Sequence, residues 1–559
     1  MVTADSTAKK EEKSQRMAYD DILLHLGEFG PYQRRIYLLL CLPAIVVALH
    51  KLAGVFLQAK AEHRCLLPFE SDNATYYGLT EQQMRLSYPW DYLAKGYSAC
   101  RMYDTNYTEE YFHNNVPANQ TVTCDRYVYN TEKYQSTTLM EWDLVCDSAW
   151  LKATSDAIFM TGVLLGSLIF GDLSDRFGRR PIFFLSLVIM SVAGVLAGIT
   201  PDYYSYTFFR MIVGAATSGV FLVAYVIGME MVGPKKRTFA GVAIQYFFTT
   251  GFLLTAGFAY YIKNWRHLQI AYTISGVIFF SYYWFIPESA RWLLTKGRKE
   301  EARLIVKAAA KENKADLPDD LLDNLLTPTV NEEKMQEAGE KPSLLDLFKH
   351  PNLRKKSVIL LFLWFVNSMT YYGLSWNTSN LGGGNDYLNF IICGLVEVPA
   401  YTFLLMTLDH WGRKVILCGC MLASGTALLL TMFVPNDMVW LTITLAMIGK
   451  LAITASYGTI YLFSAEQFPT VIRNVGVGAS SMFARFGSIL APYINIMAEI
   501  WQPLPLLIFG GCALVSGMLA LILPETLNRK LPETIEEGEN FGKKSKLKVV
   551  KNGELDPVC

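Results

Sequence analysis

The stretch Asp175-Arg176-Phe177-Gly178-Arg179-Arg180 returns once in this chain, as Asp409-His410-Trp411-Gly412-Arg413-Lys414, 409 − 175 = 234 positions later. Two other landmarks repeat at nearly the same offset. Glu230 with Arg237 returns as Glu466 with Arg473, and Pro287-Glu288-Ser289 returns as Pro524-Glu525-Thr526. Each copy adjoins an apolar stretch. A duplicated membrane domain with parallel halves is typical of secondary transporters, whose substrate site lies between the halves at the middle of the membrane.

The composition is that of a membrane protein. Of the 559 residues, 52% are hydrophobic and 18% are charged, which is too apolar for a soluble chain of this length. The formal net charge is zero, so nothing indicates a nucleic-acid partner. No Gly-x-x-x-x-Gly-Lys-Ser/Thr loop for ATP is apparent. The sequence therefore predicts a protein that is not an enzyme and needs neither a cofactor nor a metal.

Apolar stretches of about 20 residues predict an all-α membrane protein with twelve transmembrane helices. These spans are roughly 36–58, 150–171, 181–200, 205–229, 239–262, 268–286, 357–376, 387–408, 415–434, 438–463, 476–499 and 504–523. We expect two six-helix halves, 36–286 and 357–523. An N-terminal segment 1–35, a partly helical central segment 287–356 and a tail 524–559 accompany them.

The distribution of basic residues predicts the orientation in the membrane. The short loops on one side carry nine Lys and Arg residues: Arg176, Arg179, Arg180, Lys235, Lys236, Arg237, Arg413, Lys414 and Arg473. The loops near 201–204, 381–386, 435–437 and 500–503 carry none, and only 263–267 departs from the pattern. Both termini and the central segment are therefore expected in the cytoplasm. We expect the spans to lie in the lipid bilayer of the plasma membrane.

The segment 59–149, after the first span, is then expected outside the cell. It contains sequons at Asn73, Asn106 and Asn119, and four cysteines: Cys65, Cys100, Cys124 and Cys146. Sequons and an even number of cysteines are typical of an oxidising, glycosylated compartment. Four cysteines allow three pairings, and the sequence does not choose among them.

Several motifs together resemble one family. They are the loop Gly171–Arg180, Pro287-Glu288-Ser289-Ala290-Arg291-Trp292-Leu293, Glu141-Trp142-Asp143-Leu144-Val145-Cys146 and Ala465-Glu466-Gln467-Phe468-Pro469-Thr470-Val471-Ile472-Arg473-Asn474. With the large loop after the first span, they resemble the organic cation, carnitine and anion transporters, solute carrier family 22 of the major facilitator superfamily. The resemblance covers about residues 18–541. The stretch 373–378 with Gly382-Gly383 is similar to that of the insect organic cation transporter proteins.

The repeated motifs predict gating contacts. Gly178 permits a tight turn, and the neighbouring Asp and Arg side chains can form charge-assisted bonds that hold the cytoplasmic side closed. The alternative is that the loop is basic only because it lies on the cytoplasmic side and forms no specific ion pairs. The second copy of the motif at 409–414 disfavours this alternative. The candidate gating residues are Asp175, Arg176, Gly178, Arg179, Arg180, Glu230, Arg237, Asp409, Gly412, Arg413, Glu466 and Arg473. We expect Glu230 with Arg237, and Glu466 with Arg473, to be ion pairs that break and reform.

Charged residues inside spans point to the substrate site, since each costs about 3 kcal/mol unless it faces a cavity or a partner. Glu397 lies in the middle of the eighth span, and the family resemblance implies a cation-attracting carboxylate there. A structural ion pair with Lys450 or Arg485 is the alternative. Trp364, Asn367 and Tyr371 share one helix face, and aromatic walls suit a quaternary ammonium. By the resemblance, Phe221 and Gln245 also line the path.

The preferred interpretation is a secondary transporter that moves small organic cations by alternating access. Arg485 lies where cation transporters of the family carry an aspartate, so Glu397 with Arg485 also suits a zwitterion such as a betaine. An organic-anion exchanger is favoured by Arg485 and Lys450 but opposed by Glu397. A sugar-type facilitator and a non-transporting receptor are further alternatives. The coupling ion, if any, stays open.

Overall fold

The computed structural model describes residues 18–71, 73–91, 96–317, 344–381, 385–435, 437–529, 531–532 and 534–542 of the chain. Some of the sequence predictions concern residues outside these ranges. They are the first part of the cytoplasmic N-terminus, most of the polar linker in the central segment, the glycine pair 382–383 and the end of the tail.

The described chain is mainly helical. Nine of its helical segments are long and apolar enough to cross a membrane: Pro31–Leu57, Cys146–Phe177, Arg179–Ile199, Tyr203–Met231, Pro234–Tyr261, Pro351–Trp376, Asp386–Trp411, Arg413–Phe433 and Val439–Gln467. We number them spans 1 to 5 and 7 to 10. Each coincides with a predicted span, although most extend beyond the predicted bounds.

The remaining predicted spans are also helical but are shorter or less apolar. Span 6 consists of Trp265–Ile274 followed by the 3-10 helix Val277–Trp284, span 11 is Arg473–Ile496, and span 12 is Leu504–Ala520. Gly, Ser and Ala residues with Arg485 lower the hydropathy of span 11. The order of elements is that of the predicted twelve-helix fold with two six-helix halves.

Two of the spans are divided, and a proline lies near one break in each. Span 1 consists of Pro31–Cys41, Pro43–Leu52 and Gly54–Leu57, and span 8 consists of Asp386–Leu395 and Glu397–Trp411. Pro399 has no N–H to donate to the carbonyl four residues earlier, which is that of Leu395. The second part of span 8 therefore begins at Glu397, where the partial positive charge of a helix N-terminus favours a carboxylate.

The central segment is helical where it is described. Its helices are Ala290–Thr295, Lys299–Asn313 and Asp346–Lys349. Gly297, with a φ of +72°, separates the first two. The indole nitrogen of Trp292 donates to the carbonyl of Asp175 at 2.9 Å, and the Asn313 amide donates to the carbonyl of Leu26 at 2.9 Å. The central segment therefore docks on the end of span 2 and on the residue that follows the helix Ala18–His25.

The tail docks in a similar way beneath the second half. Its helix Ile535–Asn540 brings the Glu539 carboxylate to the backbone N–H groups of Asn352 and Leu353, both at 2.9 Å. The Lys356 ammonium donates to the carbonyls of Gly538 and Phe541 at 3.0 and 2.5 Å. These contacts satisfy the free N–H groups at the start of span 7.

The segment between spans 1 and 2 contains the only strands in the described residues, which an all-α prediction did not include. Three antiparallel pairs join His63–Cys65 with Tyr127–Tyr129, Trp90–Asp91 with Gly96–Tyr97, and Arg101–Tyr103 with Thr121–Thr123. Short helices lie at Glu81–Ser87, Glu109–Asn114 and Thr138–Glu141, with a 3-10 turn at Cys146–Ser148. Strands this short need further support, because two-stranded ribbons are marginal alone.

Disulfides supply that support. Of the three possible pairings, the structure has Cys65 with Cys124 and Cys100 with Cys146, with Cα–Cα distances of 5.5 and 5.7 Å. The Arg64 guanidinium is also held by Glu70 through a 2.6 Å ion pair that is almost fully buried. Asn73, Asn106 and Asn119 are all exposed. We call this segment, residues 59–149, the disulfide domain.

The two ends of the bundle differ in how the halves meet. We call the end with Gly178 and Gly412 the motif face, and the end with the disulfide domain the disulfide face. At the disulfide face, Lys60 pairs with Glu499 at 2.9 Å, and the Tyr493 hydroxyl lies 3.2 Å from that of Thr154. Lys133 of the disulfide domain pairs with Asp386 at 2.6 Å. The halves are therefore tied together by polar contacts at the disulfide face.

Candidate functional site

The first copy of the motif forms a charge network within the first half. Arg179 forms ion pairs with Asp175 and, at 3.4 Å, with Glu230. The Glu288 carboxylate accepts the backbone N–H groups of Arg179 at 3.0 Å and Arg180 at 3.2 Å. These N–H groups start span 3 and have no partner within the helix. One network thus joins the ends of spans 2, 3 and 4 to the start of the central segment.

The second copy forms the same network in the second half. Arg413 pairs with Asp409 at 3.1 Å and with Glu466 at 3.4 Å. Glu525 accepts the backbone N–H groups of Arg413 and Lys414, both at 3.1 Å. The repeat in the sequence therefore corresponds to a repeat in the contacts, residue for residue.

The motif glycines are required for two reasons. Gly178 has a φ of +116° and Gly412 a φ of +95°, which side chains with a Cβ rarely adopt. A Cβ at Gly178 would also lie 2.6 Å from a Glu288 oxygen, and one at Gly412 would lie 2.6 Å from a Glu525 oxygen. The missing side chains leave room for the carboxylates that cap spans 3 and 9.

The ion pairs that the sequence predicted around Glu230 and Glu466 differ in the structure. The ion pairs of Glu230 and Glu466 are with the motif arginines Arg179 and Arg413. Arg237 donates from Nε to the carbonyl of Val232 at 3.2 Å. The Arg473 guanidinium interacts electrostatically with the Glu466 carboxylate. The turn at each glycine places the motif arginine within 3.4 Å of its glutamate.

Two other motif arginines have local partners. Arg176 pairs with Asp172 at 2.8 Å on an exposed surface. Arg180 donates to the carbonyl of Tyr283 at 2.5 Å and lies over its ring at 4.4 Å.

The sequence did not predict that Glu288 and Glu525 cap helices, although the repeat of the two motifs that contain them was visible. Burial raises the pKa of the Glu288 carboxyl, and its backbone N–H bonds act in the opposite direction.

A second polar centre lies between the halves at Glu397. Its side chain is fully buried and forms a 3.1 Å ion pair with Lys450 of span 10. The Tyr371 hydroxyl of span 7 donates to the same carboxylate at 2.6 Å, and the Thr249 hydroxyl of span 5 donates at 2.9 Å. Thr249 belongs to the first half and the other three residues to the second. The Glu397 carboxylate therefore links the two halves.

Lys450 is satisfied on every side. Besides Glu397, its ammonium donates to the Ser375 hydroxyl at 2.7 Å and to the Tyr371 carbonyl at 3.4 Å. It also lies 3.3 Å from the centroid of the Tyr371 ring. Of the two partners that the sequence offered for Glu397, the structure selects Lys450. A buried pair of this kind is stable only when hydrogen bonds satisfy both members.

The three residues predicted to share one face of span 7, Trp364, Asn367 and Tyr371, have different contacts: Tyr371 binds Glu397, and the other two bind neighbouring helices. Tyr371 reaches Glu397, and the indole of Trp364 donates to the Ser464 hydroxyl of span 10 at 2.8 Å. Asn367 is fully buried and donates to the Leu363 carbonyl at 2.9 Å and to the Met421 sulfur at 3.6 Å. The structure therefore places the Asn367 amide against span 9 and not in a cavity, because the side chain turns toward the neighbouring helix.

Arg485 lies among tyrosines that the sequence analysis did not select. The phenol groups that interact electrostatically with the Arg485 guanidinium are those of Tyr372, Tyr457 and Tyr461. Tyr457 stacks on Tyr371 with ring centroids 5.5 Å apart, and Tyr461 is 4.4 Å from the Trp364 ring. Tyr457 and Tyr461 are four residues apart on span 10 and share a face, which is the signal that could have found them.

Two of the predicted path residues, Phe221 and Gln245, belong to the first half. Phe221 is half-buried, and the Lys51 ammonium of span 1 lies 5.6 Å from the centroid of its ring. Gln245 is also half-buried and forms no hydrogen bond with the described residues. Phe221 therefore lies near a cation, whereas the structure gives Gln245 no specific contact.

Comparisons with known proteins agree on one family. Residues 102–537 match the family described as "Sugar (and other) transporter". The chain is 59% identical to an "Organic cation transporter protein" of Drosophila melanogaster, over 94% of this chain and 96% of that protein. It is 55% identical to an "Organic cation transporter-like protein" of the same organism, over 95% and 94%. Identity to "Solute carrier family 22 member 1" of Oryctolagus cuniculus is 36%, over 95% and 96%.

Among solved structures, the chain is similar in fold to the xylose transporter XylE of E. coli in a partially occluded inward-open conformation. The TM-score is 0.56 with 15% identity, over 89% of this chain and all of that one. A second XylE structure, "Inward open conformation of the xylose transporter XylE from E. coli", gives a TM-score of 0.54 with 18% identity, over 71% and 91%. The chain belongs to solute carrier family 22, the organic cation transporter family of the major facilitator superfamily.

Proposed function

We propose that this protein is a secondary transporter that moves small organic cations across the plasma membrane by alternating access. The observation that carries the proposal is the Glu397 carboxylate, fully buried and bound by Thr249 of one half and Lys450 of the other. An ionised group in the middle of a membrane protein is costly and typically belongs to a substrate or ion path. The names of the Drosophila relatives support a cationic substrate.

The structure corresponds to one state of the proposed cycle. The halves are tied by Lys60–Glu499 and by Thr154–Tyr493 at the disulfide face. The motif networks of Arg179 and Arg413 each stay within one half. We therefore assign this state as closed at the disulfide face. Opening there requires the loss of Lys60–Glu499, and closure at the motif face brings the two networks together.

The proposed orientation places the motif face in the cytoplasm and the disulfide domain outside the cell. The cluster of Lys and Arg residues in the motif loops supports it. Exposed sequon asparagines and the two disulfides of residues 59–149 support an extracellular domain. On this orientation Asn73, Asn106 and Asn119 are glycosylation sites.

We assign Glu397, Lys450, Tyr371, Arg485 and Phe221 to the substrate path. In this state Lys450 neutralises Glu397, so a cation reaching the carboxylate replaces part of the Lys450 interaction. Aromatic rings near Arg485 supply the cation–π surface that a quaternary ammonium prefers. A zwitterionic substrate is the second candidate, since the Arg485 guanidinium suits a carboxylate and the Glu397 carboxylate suits an ammonium.

Uptake by cells expressing the chain tests the proposal. The panel contains a quaternary amine, a betaine, an organic anion and a hexose, each measured at several membrane potentials and with sodium replaced. We expect saturable uptake of the amine or the betaine and none of the hexose. A simple cation gains about 2.3 kcal/mol per 100 mV, whereas a neutral zwitterion gains nothing without an accompanying ion. Transport of none of the four would contradict the proposal.

A further inference from the structure

A large cavity lies at the disulfide face, separate from the polar centre at Glu397. Its volume is about 1160 Å³, and it lies between the disulfide domain and the ends of the spans. Asp156 of span 2 and Pro492 of span 11 both line it, so both halves contribute to its walls. Glu397 and Lys450 do not line it. Cavities of this size hold small organic molecules. We call this cavity the vestibule.

The vestibule has more acidic than basic residues in its lining. A net negative wall attracts cations, and the low dielectric of the surrounding protein strengthens that attraction. The carboxylates in the lining are those of Glu62, Asp91, Glu132, Asp156, Asp386 and Glu499, and the Lys and Arg residues are Lys60, Arg64, Lys133 and Lys152.

Ion pairs already occupy most of the cations. Three of them are paired with carboxylates: Lys60 with Glu499, Lys133 with Asp386, and Arg64 with Glu70, which is not in the lining. Lys152 is then the remaining Lys or Arg of the described lining, whereas Glu62, Glu132 and Asp156 form no ion pair with the described residues. Burial also lowers the pKa of the His63 imidazole, so His63 adds no positive charge at neutral pH. The vestibule therefore keeps an excess of negative charge.

Asp156 is the acid of the vestibule that lies deepest in the bundle. Its carboxylate forms no hydrogen bond with the described residues, and it faces Gly54 of span 1, where a Cβ would lie 2.6 Å from Oδ1. The next residue, Ser155, accepts a hydrogen bond of 3.1 Å from the buried Gln58 amide, whose Oε1 has no partner among the described residues. A carboxylate in such surroundings is costly unless a cation accompanies it.

Aromatic rings complete the walls. A hard metal ion requires several oxygen ligands that converge on one point, whereas an organic ammonium is stabilised by one counter-charge and by aromatic faces. The lining has this second character, because five tyrosines and one tryptophan contribute to it: Tyr76, Tyr77, Tyr88, Tyr97, Tyr134 and Trp376.

We propose that the vestibule is a second cation site, which holds a small organic ammonium with Asp156 as its counter-charge. Lys152, one helical turn from Asp156 and also in the lining, opposes the cation and limits its affinity. The site is separate from the one at Glu397, and binding to it requires neither transport nor a particular orientation of the protein in the membrane.

The role of the site in uptake rests on the proposed transport function. In the state closed at the disulfide face, a cation in the vestibule waits outside the central site. A raised local concentration of the cation increases the rate of its capture when that face opens. Asp156→Asn should therefore reduce uptake at low substrate concentration about threefold or more and leave the maximal rate nearly unchanged.

Binding of 2-phenylethylammonium to the purified full-length protein in detergent tests the inference, with 2-phenylethanol as the uncharged analogue. The number of sites and their affinities are measured for the wild type, Asp156→Asn, Lys152→Met and Glu397→Gln. Glu81→Gln is the control for the loss of one charge, because Glu81 is exposed in the disulfide domain and does not line the vestibule. Occupancy of the vestibule is followed separately by the rate at which Ala153→Cys reacts with a thiol reagent, since Ala153 is in the lining.

We expect two ammonium sites per chain in the wild type and in Glu81→Gln, and no binding of the alcohol. Asp156→Asn should weaken the vestibule site about tenfold or more, which is the size of a lost charge-assisted interaction. Lys152→Met should tighten the same site about threefold, because it removes a repelling charge. The ammonium should slow the labelling of Ala153→Cys, and this protection should persist with Glu397→Gln and disappear with Asp156→Asn.

The inference is overturned by two unchanged sites in Asp156→Asn, by weaker binding in Lys152→Met, or by protection of Ala153→Cys that requires Glu397 and not Asp156. A single site in the wild type that depends on Glu397 would overturn it as well. If Asp156→Asn does not fold, Lys152→Met and the protection of Ala153→Cys decide the matter. Binding that depends on Asp156 without any uptake would support the vestibule site and contradict the transport function.

Discussion

Thr249 of the first half donates a hydrogen bond of 2.9 Å to Glu397 of the second, whose other oxygen is held by Lys450 at 3.1 Å. One carboxylate therefore joins span 5 to span 10 across the interface that must open and close. When the halves move, the Thr249 contact changes while the Lys450 contact can persist, because Lys450 lies in the same half as Glu397. Lys450 of the second half compensates the charge of Glu397. The other carboxylate oxygen accepts a hydrogen bond from Thr249 of the first half.

Glu397→Gln should reduce uptake at least tenfold while the protein still reaches the cell surface. The amide cannot compensate the Lys450 charge, and a buried unpaired cation is costly. Uptake and surface labelling are measured together, with Glu312→Gln as the control because that acid pairs with Arg35 on the exposed surface. The double variant Glu397→Gln/Lys450→Met should also reach the surface and should not recover uptake. Full uptake by Glu397→Gln would show that the carboxylate is structural only.

Gly178→Ala and Gly412→Ala should each destabilise the protein by about 1–3 kcal/mol. A Cβ is strained at positive φ and also meets the capping carboxylate at 2.6 Å. Thermal unfolding in detergent measures the change. Gly419→Ala is the control, since that glycine lies within a helix with open space around it and alanine favours helices. Similar melting temperatures for all three variants would refute the strain argument.

Arg179→Ala and Arg413→Ala should lower the maximal uptake rate about tenfold or more and leave the apparent substrate affinity nearly unchanged. These side chains join the ends of spans within one half and lie away from the substrate path, so their loss changes the balance of conformations. Uptake against substrate concentration separates the two parameters, with the exposed Arg298→Ala as the control. A weakened affinity at an unchanged maximal rate would contradict this division of roles.

Lys60→Glu should shift the protein toward the state that is open at the disulfide face. The substitution places two negative charges where Lys60 and Glu499 now pair at 2.9 Å. Labelling of a cysteine introduced at Ala153, which lines the cavity of about 1160 Å³ beneath the disulfide domain, reports the opening. The charge-swapped Lys60→Glu/Glu499→Lys should return labelling to its original level. Equal labelling in all three proteins would mean that this pair does not hold the face closed.

The sequence by itself determined the fold and its internal repeat. Apolar length defines the spans because a membrane-crossing helix must satisfy its backbone internally. Repeated local motifs predict repeated local contacts because Asp175 and Arg179, like Asp409 and Arg413, are four residues apart across the same type of glycine turn. The charges inside the spans were also visible in the sequence, since Glu397, Lys450 and Arg485 stand out against an apolar background.

Only the tertiary structure decided which of those charges meet. Glu397 could have paired with Lys450 or Arg485, and helix packing chose Lys450. Packing also turned Asn367 toward Met421 and selected one of three disulfide pairings. The physical reason is that these contacts join residues far apart in the chain. Spacing along a helix predicts which side chains share a face, but not which face of another helix lies opposite.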